Sequence, residues 1–245
     1  MIEHPAFNLS PSKPDYRDRA YTKQNIPIAR EVDLRQWDSL VESQGALGSC
    51  AGNAITNAYE LLVKQKRPTE FTELSRLFVY YNARVIEETV AEDAGVIYMR
   101  NAFKGCNHYG LCTEVLWPYN IDKFAEKPTE EAYNDGEKRR IPSYATVSGT
   151  NNMLEVLNLG YPVVIGMDTY EGFMELNSDN SVIPMPDTNE ESLGGHAMAI
   201  VGYSLPHQQF LAKNSFGSDW GANGYCWMPF DYAKKYVFER WVFEI

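Results

Sequence analysis

The chain has 245 residues and carries 22 Lys and Arg against 33 Asp and Glu, which gives a net charge of −11. A surface that binds nucleic acid needs clustered basic residues, so this balance argues against nucleic acid as the main partner. The 44% hydrophobic and 13% aromatic content is enough to bury one large core or two smaller cores that face each other.

Residues 1–30 contain four prolines and no apolar run, so they do not read as a secretory signal peptide. No other stretch is apolar and long enough to span a membrane, and we expect no membrane partner. The pattern predicts a protein that is soluble where it is made or is exported without a classical leader. The sequence indicates nothing more about localisation.

Cys50 follows a glycine-rich turn and begins an apolar helical pattern. Apolar residues recur at three- and four-residue spacing from Ala51 to Leu62, and the pattern stops at Lys66-Arg67-Pro68. The unpaired N–H groups and the positive dipole end of a helix N-terminus favour an anion, so a cysteine there tends toward a nucleophilic thiolate. Free cysteines are also often buried as small apolar residues, and Cys50 alone leaves both interpretations open.

His196 is the best-placed base among the four histidines. It follows two glycines and precedes Met198 to Tyr203, which has the pattern of a core strand. His4, His108 and His207 lie in contexts typical of solvated surface residues. A satisfied core histidine is the alternative for His196.

Asn214 and Trp220 follow the next predicted strand, Gln209 to Lys213. A thiolate and an imidazolium already balance each other's charge, so a third partner needs only to hold the ring by a hydrogen bond. Neutral asparagine suits that task, and Trp220 is predicted to shield the bond from water.

Together these residues resemble the papain family of cysteine peptidases, and the match extends from Val32 to about Tyr225. The family signature Cys-Gly-Ser/Ala-Cys-Trp/Tyr corresponds to Leu47-Gly48-Ser49-Cys50-Ala51, with departures at the first and last positions. The histidine follows Cys50 by 146 residues and the asparagine by 164. Leu47 rules out the disulfide that many members form beside the site.

The resemblance implies a role for each matching residue. Cys50 would be the nucleophile, His196 the general base and then acid, and Asn214 the residue that orients His196. Gln44 stands where the family has its oxyanion-hole glutamine, although without the cysteine spacing it would read as a polar turn residue. The implied reaction is peptide hydrolysis through a thioester acyl-enzyme, with no cofactor and no metal.

The resemblance also implies an α+β, papain-like fold with the active site in a cleft between two subdomains. We expect an N-terminal extension over 1–31 and a peptidase domain over 32–245. Within the domain, a helical half would run from about 37 to 119 and a β-barrel-like half from about 120 to 230. A tail over 231–245 would cross back.

The implied partners are protein or peptide substrates. By resemblance, Gly166 and Ala197 help to line the pocket for the second residue before the scissile bond, and small residues there leave room for a bulky side chain. Gly95 corresponds to the glycine that binds extended substrate as an added strand.

Three cysteines remain besides Cys50. Cys106 and Cys112 could form a disulfide across a glycine turn, or both could be reduced, and Cys226 has no obvious partner. Their spacing does not fit a metal site.

The N-terminal extension allows two interpretations. Its Pro14-Asp15-Tyr16-Arg17-Asp18 run is similar to short leaders of bacterial and phage-type relatives. It could lie over the cleft and limit access until it is cleaved or displaced, as in a zymogen. It could instead be an integral strap on the β-rich half.

Two other classes of function stay open. A papain-like acyl transferase or ligase would use the same thioester with another amine as acceptor. A catalytically silent binding module would be expected to lack one of the four site residues, and this chain keeps all four.

Overall fold

The computed structural model describes residues 7–245. These residues form seven α-helices: α1 (Cys50–Lys66), α2 (Arg76–Glu87), α3 (Met99–His108), α4 (Glu130–Gly136), α5 (Gly149–Asn158), α6 (Glu171–Met174) and α7 (Phe230–Tyr236). They also form eight strands: β1 (Arg19–Ala20), β2 (Glu31–Asp33), β3 (Ser143–Thr146), β4 (Val163–Thr169), β5 (Gly194–Ser204), β6 (Gln209–Lys213), β7 (Tyr225–Pro229) and β8 (Val237–Glu244).

Helix α1 is the central helix of the fold. It runs over Cys50–Lys66, as the sequence pattern predicts, and is buried from Cys50 through Val63. It packs against α2 and against β5, so that one side faces the helices and the other faces the sheet. A helix with so few polar positions is stable only when it is enclosed, because burial of its apolar side chains supplies most of its stability.

The eight strands form one mixed sheet. Its order is β1-β3-β8-β4-β5-β6-β7, with β2 paired to β5. The β1–β3 pair is parallel and the other pairs are antiparallel. In the β4–β5 ladder Gly166 pairs with Ala197, and Met167 pairs with His196. The sheet therefore fixes the predicted base and two predicted pocket residues relative to one another.

The last strand, β8, lies in the interior of the sheet. Strand β8 lies between β3 and β4, and its odd-numbered residues are buried. The sequence pattern did not predict this strand, because the charged residue Glu239 occupies one of the buried positions. The predicted domain boundaries stay predictions.

The N-terminal segment divides into two parts. Residues 13–31, here called the strap, lie along the β-rich half, where β1 pairs with β3 and β2 pairs with β5. Residues 7–12, here called the arm, form isolated bridges to Gly195 and Tyr98. His4 lies outside the described residues, whereas His108 and His207 are exposed, as predicted. Within residues 7–245, no helix is long and apolar enough to cross a membrane.

Candidate active site

Cys50 is the first residue of α1. The preceding turn uses a left-handed conformation at Gly45 (φ 58°) to bring the chain into the helix. The thiol is buried, with 3% of the residue exposed, and faces the backbone amide of Ala197 on β5. The helix and the sheet therefore meet at the predicted nucleophile, beside the strand residue that follows His196.

His196 and Asn214 are brought together by adjacent strands. His196 Nε2 lies 2.7 Å from Asn214 Oδ1, and both residues are buried. An amide oxygen can only accept, so this bond requires the proton on Nε2 and leaves Nδ1 able to take up a proton. Among residues 7–245, Nδ1 has no hydrogen-bond partner. The hydrogen bond at Nε2 thus orients the ring, and Nδ1 is available for proton transfer.

Gln44 is buried and its side chain is fixed at both ends. Its Oε1 accepts from Ser215 Oγ at 2.5 Å, and its Nε2 donates to the Leu47 carbonyl at 2.8 Å. A glutamine amide carries two N–H donors, so one remains for another acceptor. Ser215 follows Asn214 directly, and it therefore ties the Gln44 amide to the strand that orients His196.

The Tyr119 side chain forms hydrogen bonds with the turn that precedes Cys50. Its hydroxyl donates to the Gln44 carbonyl at 2.8 Å and lies 2.5 Å from Ser49 Oγ. Arg76 packs over its ring at 4.1 Å. Sequence reasoning gave no role to Tyr119 or Ser215, because neither has a local signature and both act through tertiary contacts.

Aromatic rings surround His196. The rings of Phe216, Phe7 and Phe173 lie 5.0, 5.5 and 5.6 Å from the imidazole. Trp220, the predicted shield, packs on Phe173 at 5.0 Å and on Phe216 at 5.7 Å. The imidazole therefore lies in an apolar enclosure in which a hydrogen bond meets little competition from water.

Burial shifts the pKa of both groups in the direction that favours their neutral forms. It raises the pKa of the Cys50 thiol to about 11, against smaller opposing contributions from nearby backbone amides. Burial also lowers the pKa of His196 to about 4, and the Asn214 hydrogen bond only partly offsets this shift. Desolvation of Cys50 in this conformation therefore opposes the thiolate that the helix N-terminus favours.

The arm lies in the cleft at this site. Phe7 O accepts from the Gly195 amide at 3.0 Å, and the Leu9 amide lies 3.3 Å from Gly195 O. Across the cleft, Asn8 Nδ2 donates to Ala94 O at 2.9 Å, and the Ser10 amide donates to Ile97 O at 2.7 Å. The arm thus spans both walls, and its Phe7 ring packs against the imidazole in a T-shaped arrangement.

Two of the three predicted substrate-binding residues, Gly95 and Gly166, line the path of the arm. A side chain at Gly95 would lie 3.2 Å from Asn8 Cβ, and one at Gly166 would lie 3.0 Å from Leu9 Cδ2. Leu9 is buried in the pocket beside Gly166. Ala197 is buried beside Gly166 in the ladder. The pocket therefore accommodates a leucine side chain in this conformation.

The four cysteines are all free and buried, so Cys106 and Cys112 are not bridged. Burial raises the pKa of the Cys106 thiol and of the Cys226 thiol. No group of three or more His, Cys, Asp or Glu side chains within residues 7–245 is arranged to hold a metal ion.

Comparison with known proteins gives one consistent result. The model of the papain family of cysteine proteases matches residues 28–242. An uncharacterised peptidase C1-like protein of Acanthamoeba polyphaga mimivirus is 35% identical, over 93% of this chain and 82% of the viral protein. Cysteine proteinase 3 of Solanum lycopersicum is 26% identical over 84% of this chain, but the match spans only 59% of the tomato protein.

Solved structures agree with these relatives. Xylellain, a cysteine protease from Xylella fastidiosa, superposes with a TM-score of 0.90 at 29% identity, covering 100% of this chain and 97% of that one. Bromelain from Ananas comosus in complex with the E64 inhibitor gives a TM-score of 0.70 at 20% identity, covering 89% of this chain and 100% of that one, and indicates the fold alone.

Proposed function

Because the chain belongs to the papain family of cysteine peptidases, we propose that it cleaves peptide bonds with Cys50, His196, Asn214 and Gln44 and that its arm restrains this activity. It has a papain-like fold, and its class is that of a peptide hydrolase. The observation that carries the assignment of residues is the meeting of three chain segments, the turn from Gln44 to Cys50, His196 and Asn214, in one buried site centred on the 2.7 Å bond between His196 and Asn214.

The proposed reaction begins with proton transfer from the Cys50 thiol to His196 Nδ1. The resulting thiolate attacks the peptide carbonyl, and the oxyanion accepts hydrogen bonds from the second Gln44 N–H and the Cys50 amide. The imidazolium then protonates the leaving amine, which leaves a thioester. A water molecule gives a proton to the same Nδ1 and hydrolyses the thioester, and His196 returns this proton to Cys50.

Restraint by the arm follows from where it lies. Its hydrogen bonds use the carbonyls of Ala94, Gly195 and Ile97, and Leu9 fills the pocket that a substrate side chain would need. By excluding water, the arm also helps to keep the thiol and the imidazole neutral. Removal of the arm would rehydrate both groups, lowering the pKa of Cys50 and raising that of His196, so that the reactive ion pair becomes accessible.

The strap is proposed to remain part of the folded enzyme. Arg100 holds it through a two-point contact with Asp18, at 2.6 and 2.9 Å, and through the carbonyl of Lys13. Further along, the Tyr21 amide donates to Thr146 O at 2.8 Å, and the Leu205 amide donates to Arg30 O at 3.0 Å. The restraining element is thus much shorter than the extension.

The test is intact-mass labelling with an epoxysuccinyl thiol-protease inactivator. We expect one label on the full chain, none on Cys50→Ala, and labelling at least about tenfold faster for a chain that begins at Lys13. Full-length Leu9→Asp should label faster as well, because a carboxylate is costly in an apolar pocket. Leu40→Asp is the matched control, since Leu40 is 72% exposed.

The possible outcomes separate the two parts of the proposal. Equal labelling of the full chain and of a folded chain from Lys13 would contradict restraint but not catalysis. No labelling of any folded form would contradict the peptidase mechanism and favour a binding module. If peptide products carry an added amine in place of water, the enzyme is an acyl transferase.

A further inference from the structure

The connection between α2 and α3 forms one wall of the cleft. Residues 88–98, here called the platform, carry Gly95 and the carbonyls of Ala94 and Ile97, which accept hydrogen bonds from the arm. Binding to main-chain groups requires that these groups stand at a fixed distance from the reacting thiol.

Arg84 on α2 holds the first half of the platform. This arginine is fully buried, and its guanidinium donates to Val90 O at 3.0 Å, to Glu92 O at 2.8 Å and to Phe124 O. It stacks over the Tyr80 ring at 4.0 Å. Among residues 7–245 it forms no ion pair with a carboxylate, so main-chain carbonyls supply its polar contacts. A buried charge satisfied in this way is costly, and the helix itself does not require it.

Tyr80 holds the centre of the platform, and Glu87 holds its C-terminal end. The Tyr80 hydroxyl donates to Asp93, and the same carboxylate accepts from the Gly48 amide at 3.2 Å. Gly48 is two residues before Cys50, so this contact joins the platform to the catalytic turn. Glu87 accepts from the amides of Ile97 and Tyr98, both at 2.9 Å.

We propose that Tyr80, Arg84 and Glu87 are positioning residues that set the place of the platform relative to Cys50 and thereby the affinity for extended peptides. Their spacing of four and three residues puts them on one face of α2, directed at three successive points of the platform. The inference rests on the proposed function, because it assigns a role in substrate binding to that same site. None of the three residues needs to touch the reacting atoms.

The test compares two fluorogenic peptides with the same leaving group on the full-length enzyme. The short peptide has one residue before the scissile bond, and the long one has three and can reach Gly95. Both must displace the arm, so the ratio of their kcat/KM values reports contact with the platform. We expect Tyr80→Phe to lower this ratio about tenfold, through a higher KM for the long peptide at little-changed kcat. Arg84→Lys should lower it further, since an ammonium cannot reach three carbonyls in a planar arrangement.

Tyr81→Phe is the matched control. Tyr81 lies next to Tyr80 on α2, and its hydroxyl makes no hydrogen bond to the described residues. An equal loss of activity on both peptides, or an unchanged ratio in both Tyr80→Phe and Arg84→Lys, would overturn the proposal.

A second readout does not depend on catalysis. If the wild-type chain cleaves neither peptide, the proposed function fails, and hydrogen exchange of the Ile97 and Tyr98 amides decides the positioning role. Faster exchange in Tyr80→Phe than in Tyr81→Phe supports that role, and equal exchange overturns it.

Discussion

His196 makes the covered site sensitive to acid. Its pKa of about 4 in this conformation lies below the ordinary value of 6.5, because burial disfavours the charged imidazolium. A conformation with the arm displaced would hydrate the ring and bring its pKa back toward 6.5. With the Cys50 thiol protonated, the open state therefore binds more protons than the closed state between these values. The contribution of His196 to the stability of the closed conformation is therefore fully present above pH 6.5. It is lost as the pH falls toward 4.

We predict that acid releases the arm. Between pH 6.5 and 4, the closed-to-open equilibrium should shift toward open by up to about tenfold per pH unit. The Leu9 amide, which donates to Gly195 O, should lose hydrogen-exchange protection over this range after correction for the intrinsic rate. The Leu34 amide, bonded to Val201 O at 2.9 Å, is the internal control.

Two substitutions test whether His196 is the group whose protonation releases the arm. His196→Gln should remove the acid-dependent loss of protection. Glu239, whose pKa is raised by burial beside Ser12, titrates in the opposite direction, so Glu239→Gln should make the release steeper. Leu9 protection that does not change with pH in the wild-type chain would contradict the prediction.

At the scale of the elements, a buried ion pair is one of the contacts that hold the strap. The Asp18 and Arg100 side chains are 17% and 10% exposed, and Arg100 also lies 5.8 Å from the Trp241 ring. Asp18→Asn removes the negative charge and leaves the guanidinium without a carboxylate. We predict a loss of about 2 kcal/mol in the free energy of unfolding, measured by urea denaturation.

Asp15→Asn is the control for this prediction. Asp15 pairs with Arg17, whose side chain is 69% exposed, so the pair is largely screened by solvent and its loss should cost much less. Similar losses for the two variants would mean that the strap is not held by Arg100.

At the scale of the whole molecule, a buried cluster around Asp38 joins the helical side to the sheet. Lys213 Nζ of β6 binds Asp38 Oδ1 at 2.9 Å, and the side chains are 0% and 2% exposed. Tyr225 of β7 donates to the other carboxylate oxygen at 2.9 Å, and Lys64 of α1 donates to the Asp38 carbonyl at 2.7 Å. Three elements thus meet on one residue of the connecting chain.

We predict that Lys213→Met destabilises the protein by about 3–5 kcal/mol, because it leaves the Asp38 carboxylate buried without its counter-ion. The double variant with Asp38→Asn should recover part of this loss, since no unpaired charge remains. Thermal or urea unfolding of the two single variants and the double variant measures the coupling. Additive effects would show that the two side chains do not depend on each other.

Some of this organisation could be predicted from the sequence, and the exceptions have physical reasons. The spacing of apolar residues predicts α1 to its last residue, and the strand patterns predict much of β4 to β7, because local periodicity reflects which face is buried. The sequence pattern did not predict strand β8, because the charged residue Glu239 is buried there. The identity of Gln44, Cys50, His196 and Asn214 as site residues came from spacing and resemblance, and their catalytic roles stay predictions.

The protonation state of the site could not be predicted from local sequence. The position of Cys50 at the start of α1 favours a thiolate, yet residues 7–9, more than forty positions earlier, help to close the site and exclude water. Desolvation depends on everything packed around a group, and no local pattern reports it. The same reasoning applies to Tyr119, Ser215 and Arg84, which act only through contacts made by the folded chain.

The division of the N-terminal segment into strap and arm sets the effective concentration of the arm at the cleft. The Lys13 carbonyl is bound to Arg100, so the tether of the arm begins directly next to the arm itself. A ligand on so short a tether is presented to its site at an effective concentration on the order of millimolar. A single cut between arm and strap would turn this into a bimolecular equilibrium at the concentration of the enzyme. Even an arm peptide that makes the same contacts would then dissociate on dilution. Its release would be irreversible, although the cleft itself would be unchanged.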